Sequence, residues 1–314
     1  MLFEILYALS IALHLVMFTL ATVLIIFKTP KTMRIYSIFL FNINFWFHLM
    51  SFFTSSLSKI TAYVNDGTVC FVYNPNIGLT LPINVTITVV SCAMFNSFVA
   101  LFLAFTHLFY RSRMLAKAEN PNLRPWHLWI VAVLLHIVIC AVNVILVFQP
   151  RPEVPEGYSN PAEPLCVLSP SNKSWIIKWG VYFLVVCSVI TSFIWFSVFS
   201  IKRKLCQSGA HSLHTVTMYR SFLITVFMMS CTPFVLFVIP LMLCVLELVL
   251  EIVGFLETLT SMIGVLMPLQ ASINSAIIVI TVKPYRRALC RLVTRKSRSS
   301  AIVVSISPAN ASNR

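Results

Sequence analysis

The side chains that could do chemistry are few, and most sit where water is scarce. His14, His48, Asn96, His136, Asn143, Gln270 and Asn274 all fall inside long apolar runs. Polar residues in such places are costly and are often kept for function. The four histidines His14, His48, His107 and His136 are scattered over four different runs, with no nucleophile or metal partner apparent and no Cys/His spacing of a metal site. Acid–base or metal chemistry at one convergent site is therefore not indicated, and an enzyme is not expected. What remains is hydrogen bonding. A lone His or Asn in an apolar helix usually bonds a neighbouring helix, and a contact to a bound small molecule is the sharper alternative. Asn96 and Gln270 are the candidates for such a contact.

The elements that must position these residues follow from composition. The 314-residue chain is 59% hydrophobic and only 10% charged, against about 25% charged in soluble domains, and its mean hydropathy is +0.90. Seven apolar stretches, near 3–27, 35–57, 83–109, 127–148, 176–200, 220–246 and 258–282, each hold the ~20 residues that a membrane-spanning helix needs. They are apolar all round, so alternating barrel strands are excluded. The first run lacks a basic leader and is full length, so it reads as an uncleaved first helix. The expected architecture is an all-α bundle of seven transmembrane helices over 1–286, followed by an amphipathic helix and a disordered tail over 287–314.

Charge supplies the orientation. Nineteen of the 23 Lys and Arg residues lie on one side. They are Lys28, Lys31 and Arg34; Arg111, Arg113, Lys117 and Arg124; Lys202, Arg203, Lys204 and Arg220; and the eight from Lys283 onwards. Only Lys59, Arg151, Lys173 and Lys178 lie on the other side, with every acidic residue except Glu119. Basic loops stay in the cytoplasm, so the N-terminus is outside and the C-terminus inside. The net charge of +14 is thus an orientation signal and does not indicate a nucleic-acid partner.

This topology sorts the remaining candidates. Cys70 and Cys166 are the two cysteines of the outer loops, where an oxidising compartment favours a disulfide; two free thiols are the alternative. Asn172-Lys173-Ser174 is a glycosylation acceptor in the second outer loop. Glu257, with Glu247 and Glu251, sits at the outer mouth of the seventh helix. These carboxylates either attract a cation or simply keep that loop hydrated. No charge is well buried, which suggests an apolar or neutral ligand. Pro233 and Pro240 in the sixth helix and Pro268 in the seventh interrupt backbone hydrogen bonding and are candidate hinges; a static kink is the plainer alternative. On the inner side Arg111, Arg113, Lys202, Arg203, Lys204 and Arg286 face either lipid headgroups or a protein partner. After Pro284 the residues Tyr285, Ala288, Leu289 and Leu292 recur at helical spacing opposite Arg286, Arg287 and Arg291, as in a helix lying on a membrane. Cys290 is placed for palmitoylation, with a free thiol as the equal alternative. Ser297, Ser299, Ser300, Ser305 and Ser307 are phosphorylation candidates that could recruit an arrestin-like partner.

The chain resembles the nematode seven-helix chemosensory receptors of the Str-like group, which includes the Str, Srh, Srd and Sri families. The resemblance rests on Lys283-Pro284-Tyr285-Arg286 after the seventh helix and on Phe109-Tyr110-Arg111, in place of Asp-Arg-Tyr, closing the third. It rests also on the sixth-helix segment with Pro233 and Pro240, and on Pro268 six residues before Asn274. It implies a G-protein-coupled receptor of the plasma membrane or of sensory cilia that detects an external chemical. A heterotrimeric G protein would be its partner. Tyr110-Arg111 and Pro284-Tyr285-Arg286 both end helices at the inner face, where they are expected to form the cytoplasmic switch together; anchoring of the helices at the headgroups is the alternative. No cofactor is implied. A ligand-gated channel of the insect odorant type would place the N-terminus inside, against the charge count. A transporter would show repeats and midplane ionisable groups, which are not found. An epitope tag at the C-terminus should stain only after permeabilisation; staining of intact cells would refute the orientation.

Overall fold

The computed structural model describes residues 2–56, 58–65, 68–75, 83–116, 126–147, 165–166, 173–207, 213–250 and 256–301. Asn172 and the tail beyond 301 lie outside the described residues. The first span is α1 (Leu2–Phe27) and the second α2 (Arg34–Ser51), which continues as a π-helical turn over Phe52–Ser56. The third to fifth spans are α3 (Ile83–Ala116), α4 (Trp126–Val147) and α5 (Lys173–Gln207). The sixth is made of α6 (Leu213–Pro233), a π-helical segment (Phe234–Val238) and α7 (Ile239–Leu250). The seventh is α8 (Leu256–Thr281), and α9 (Lys283–Ala301) follows it. Six of the spans are long and apolar enough to cross a bilayer, and α4 contributes a shorter apolar stretch, Ile130–Ile145. At ~1.5 Å per residue a 26-residue helix such as α1 reaches about 39 Å, enough for a hydrocarbon core of ~30 Å.

Local sequence explains the breaks. Proline disfavours α geometry in the residue before it, so α1 stops short of Pro30. Pro30 then starts the single 3-10 turn Lys31–Met33 that feeds α2. The central helix is α3. It packs against α2, α4, α5 and α6, and Ala93, Ala100 and Ala104 along it are fully buried. Small residues there let neighbouring backbones approach closely. By contrast α1 and α5 present most of their side chains outwards, with Val16, Phe27, Val189 and Phe199 exposed. Apolar side chains on that face are at home in lipid. The core runs from Met50 and Phe95 down to Phe39, Phe105, Phe222 and Tyr285.

To the helical bundle the outer loops add a small sheet that the hydropathy pattern did not announce. Strands β1 (Ser58–Asn65) and β2 (Thr68–Pro75) pair antiparallel, with Asn65 opposite Thr68. The two residues between them in sequence are Asp66 and Gly67, the pair most favoured for a two-residue hairpin link. The short β3 (Leu165–Cys166) from the second outer loop then pairs with β2.

In that register Cys70 stands directly opposite Cys166. Directly opposed residues of an antiparallel pair have Cα atoms roughly 4.5–5.5 Å apart, inside the range of roughly 4.4–6.8 Å that disulfides use. The register thus supports the proposed Cys70–Cys166 bond, which would staple the second outer loop to the hairpin. Non-reducing peptide mapping should recover the two cysteines in one linked peptide. Replacing Cys166 by Ala should lower surface expression, since losing a native disulfide costs about 2–5 kcal/mol in small secreted domains. Two free thiols in the map would remove the proposal.

Candidate functional site: the inner face of the bundle

At the inner end of the bundle the organising side chain is Tyr36, in the first turn of α2. It is buried, with 4% of its surface exposed. Its ring lies 4.7 Å from Phe222, and edge-on to Tyr219 at 5.6 Å and to His107 at 5.7 Å. Phe39, one turn further along α2, lies 4.8 Å from His107. Tyr36 lies within electrostatic reach of Arg111, and its ring meets that of Tyr219. Since His107 and Arg111 are four residues apart, one face of α3 meets both. A guanidinium only donates, while a phenol both accepts and donates. The Tyr36 oxygen can thus accept from Arg111, while between Tyr36 and Tyr219 either hydroxyl can donate. One neutral side chain of α2 thus stands between Arg111 of α3 and Tyr219 of α6.

The second inner motif goes elsewhere. Tyr285 is buried, and its hydroxyl shares a 2.6 Å hydrogen bond with the Thr29 hydroxyl at the end of α1. Burial raises the Tyr285 phenol pKa above its usual value, with the Thr29 bond opposing that shift. The exposed Arg286 donates to the carbonyl of Ile280 at 3.5 Å. Pro284, half-buried, lets α9 start directly after α8. The geometry gives the two motifs different jobs: Tyr285 docks α9 on α1, whereas Arg111 meets Tyr36 of α2. Tyr110 is half-buried beside Arg111, and Lys202 and Arg203 are exposed at the end of α5. The Lys204 side chain lies outside the described residues. On α9, Ala288 and Leu289 pack inwards while Arg287, Arg291 and Cys290 are exposed, with Cys290 a free thiol.

The three prolines also differ. Pro268 has no N–H, so the carbonyl of Gly264 loses its usual helical donor. Ser55, in the π-helical turn after α2, supplies the replacement with its hydroxyl 2.9 Å from the Gly264 oxygen. Ser51 donates to the Met267 carbonyl at 3.0 Å, and the Tyr7 hydroxyl donates to the Ser55 carbonyl at 2.5 Å. The Pro268 kink is thus held from both α1 and α2. Pro233 and Pro240 instead bracket the π-helical segment Phe234–Val238, where Phe234 and Val235 face outwards. Such segments often mark functional sites, and this one separates the two halves of the sixth span.

Midway through the bundle the polar residues form two networks. The Asn96 carboxamide oxygen bonds Nδ1 of His136, and its Nδ2 donates to the Cys92 carbonyl at 2.7 Å. His136 in turn lies 3.4 Å from Asn42 Nδ2, and Asn42 accepts from Trp46. A ligand at Asn96 would have to displace His136. In the second network Nε2 of His48 lies 2.7 Å from the Ser275 hydroxyl, which donates to Asn44 at 2.9 Å. The rings of His14 and His48 stack at 4.5 Å. Gln270 and Asn274 are fully buried one turn apart on α8, and their carboxamides have no hydrogen-bond partner among the described residues. Asn143 is buried and donates to its own helix at Ile139. The Glu257 side chain lies outside the described residues.

Sequence reasoning missed Tyr36, Tyr219, Thr29 and Ser55. A signal for Tyr219 was present: Tyr219-Arg220 is a third Tyr-Arg pair at the inner end of a span, beside Tyr110-Arg111 and Tyr285-Arg286.

A bundle of seven apolar helices with a lipid-facing rim, a packed central third helix and an amphipathic helix after the seventh defines a serpentine membrane receptor. The chain belongs to the serpentine-type 7TM GPCR chemoreceptor family Srh, whose family model matches residues 2–295. That match covers all seven spans and most of α9, and it selects Srh from the Str-like group. No curated protein matches the chain.

The clamp on Pro268 generates a prediction. Replacing Ser55 by Ala should destabilise the detergent-solubilised protein by about 1–3 kcal/mol, because the Gly264 carbonyl is left unsatisfied. With Pro268→Ala already present the Gly264 carbonyl regains a backbone donor, and the cost of Ser55→Ala should fall to well under 1 kcal/mol. Equal costs in the two backgrounds, measured by thermal unfolding, would show that Ser55 does not serve the kink.

Proposed function

We propose that this chemoreceptor detects an external apolar or neutral small molecule and signals through a heterotrimeric G protein at its inner face. The observation that carries the reading is the Arg111–Tyr36–Tyr219 contact. It places the inner end of α6 beside α3, and it engages Arg111 near the end of the third span. Movement of α6 about the Pro233–Pro240 segment would withdraw Tyr219, weaken the hold of Tyr36 and free Arg111 for a protein acceptor. Lys202, Arg203, Lys204 and Arg286 would border the opened cavity. Tyr110 would flank it, and the Pro284–Tyr285 step would keep α9 as its floor.

The ligand class follows from the interior. The buried polar residues among those described are Ser, Thr, Asn, Gln and His, with no Asp, Glu, Lys or Arg. An amine held by a buried ion pair has no carboxylate there. Gln270, with an unused buried carboxamide, is the preferred contact for a neutral polar group. Glu247 is half-buried at the outer end of α7, with one carboxylate oxygen lacking a hydrogen-bond partner among the described residues. It and Glu257 would act at the mouth. Plasma-membrane or ciliary placement, glycosylation at Asn172, palmitoylation at Cys290 and tail recruitment of an arrestin-like partner complete the proposal.

The test uses cells expressing the chain, with a cyclic-nucleotide or calcium readout and surface expression measured in parallel. Tyr36→Phe and Tyr219→Phe should each raise ligand-independent signalling. Losing the Tyr36 oxygen as an acceptor for Arg111 would cost the resting state about 1.5–3 kcal/mol, which is tenfold or more in the resting-to-active ratio, and losing the Tyr219 hydroxyl, a neutral partner, about 0.5–1.5 kcal/mol. Arg111→Lys keeps the charge but loses the planar fork, and should reach the surface yet couple poorly. Wild-type signalling from Arg111→Lys, with unchanged basal activity in both phenylalanine variants, would overturn the switch.

A further inference from the structure

We propose that the crevice between the inner ends of α1 and α2 is a binding site for an acidic phospholipid of the cytoplasmic leaflet. The crevice has a volume of about 370 Å³ and is lined by Ile25, Ile26, Thr29, Lys31, Arg34, Ser37, Ile38 and Phe41. Its lining divides by chemistry. Ile26 and Ile38 are exposed, 60% and 45%, and with the half-buried Phe41 they supply the apolar wall of the lining. Lys31 and Arg34, exposed members of the same lining, supply its basic rim. Neither has an ion-pair partner among the described residues, and the single acidic residue of the inner loops and tail, Glu119, belongs to a different loop.

A free phosphate would satisfy the rim but leave the wall empty, and a peptide would have to enter the hydrocarbon. A phospholipid satisfies both parts, with the phosphate and an acidic headgroup on the two cations and an acyl chain along Ile26, Ile38 and Phe41. Two uncompensated cations favour an anionic over a zwitterionic headgroup. The shape of this site has one plain cause. Pro30 ends α1 and the 3-10 turn Lys31–Met33 swings the chain into α2, so that Lys31 and Arg34 are both presented at the crevice. The site also abuts the Thr29–Tyr285 hydrogen bond, so a lipid seated here would press on the contact that docks α9.

The test compares phosphatidylserine with phosphatidylcholine of the same chains bound to the purified full-length receptor, read by native mass spectrometry. Wild type should prefer phosphatidylserine on the order of tenfold or more, as expected for two basic residues at an anionic headgroup. Lys31→Gln/Arg34→Gln should abolish most of that preference, while Arg34→Lys, which keeps the charge, should retain it. Lys202→Gln/Arg203→Gln removes two exposed cations at the end of α5, outside the crevice lining, and should leave the preference near the wild-type value. Because Lys31 and Arg34 are exposed, the double variant should match wild type in its unfolding temperature in phosphatidylcholine, and phosphatidylserine should raise that temperature for wild type only. No preference in wild type would overturn the site. So would retained preference in Lys31→Gln/Arg34→Gln, or an equal loss in the α5 variant, which would mean diffuse attraction of charge to the membrane surface.

Discussion

A bilayer offers no hydrogen-bond partners, so each buried polar atom in a spanning helix must find its partner inside the protein. In this chain that constraint is sharpest at Pro268, where the helix itself removes a donor. Ser55 answers it from α2, and Tyr7 fixes Ser55 from α1. His48, Ser275 and Asn44 repeat the arrangement about two turns further in. The second and seventh spans are therefore joined by directed bonds at two depths, and the first is tied to them through Tyr7.

The sixth span is held differently. Near its inner end Thr225 bonds Thr281 and Ser221 donates to the Thr281 carbonyl. Beyond these, Tyr219 and Phe222 meet the aromatic group around Tyr36. The π-helical segment between Pro233 and Pro240 breaks the regular helical ladder above these contacts. Gln270 and Asn274 lie on the seventh span, buried and without partners among the described residues. Their cost is borne by the fold or relieved by what enters it.

The inner face shows how a neutral phenol can take the place of a carboxylate. Tyr36 can accept from Arg111 without a net opposite charge, so the contact carries no full ion-pair energy and asks for little desolvation compensation. Tyr285 has the complementary role: bonded to Thr29 and buried, it fastens α9 to the end of α1.

The sequence by itself determined the number of spans, the basic and acidic sides, the amphipathic helix after Pro284 and the resemblance that the Srh family match supports. These follow from composition along the chain, because water-to-lipid transfer acts on each segment separately. The hairpin of β1 and β2 carries a local signal in Asp66 and Gly67, outside the apolar pattern that marks the spans. What only the tertiary structure decided is which side chains meet. Tyr36 stands 75 residues before Arg111, and Ser55 stands 209 before Gly264. No local pattern encodes such pairs. They exist because helices packed at fixed depths bring distant polar atoms together, and because in lipid those atoms have nowhere else to turn.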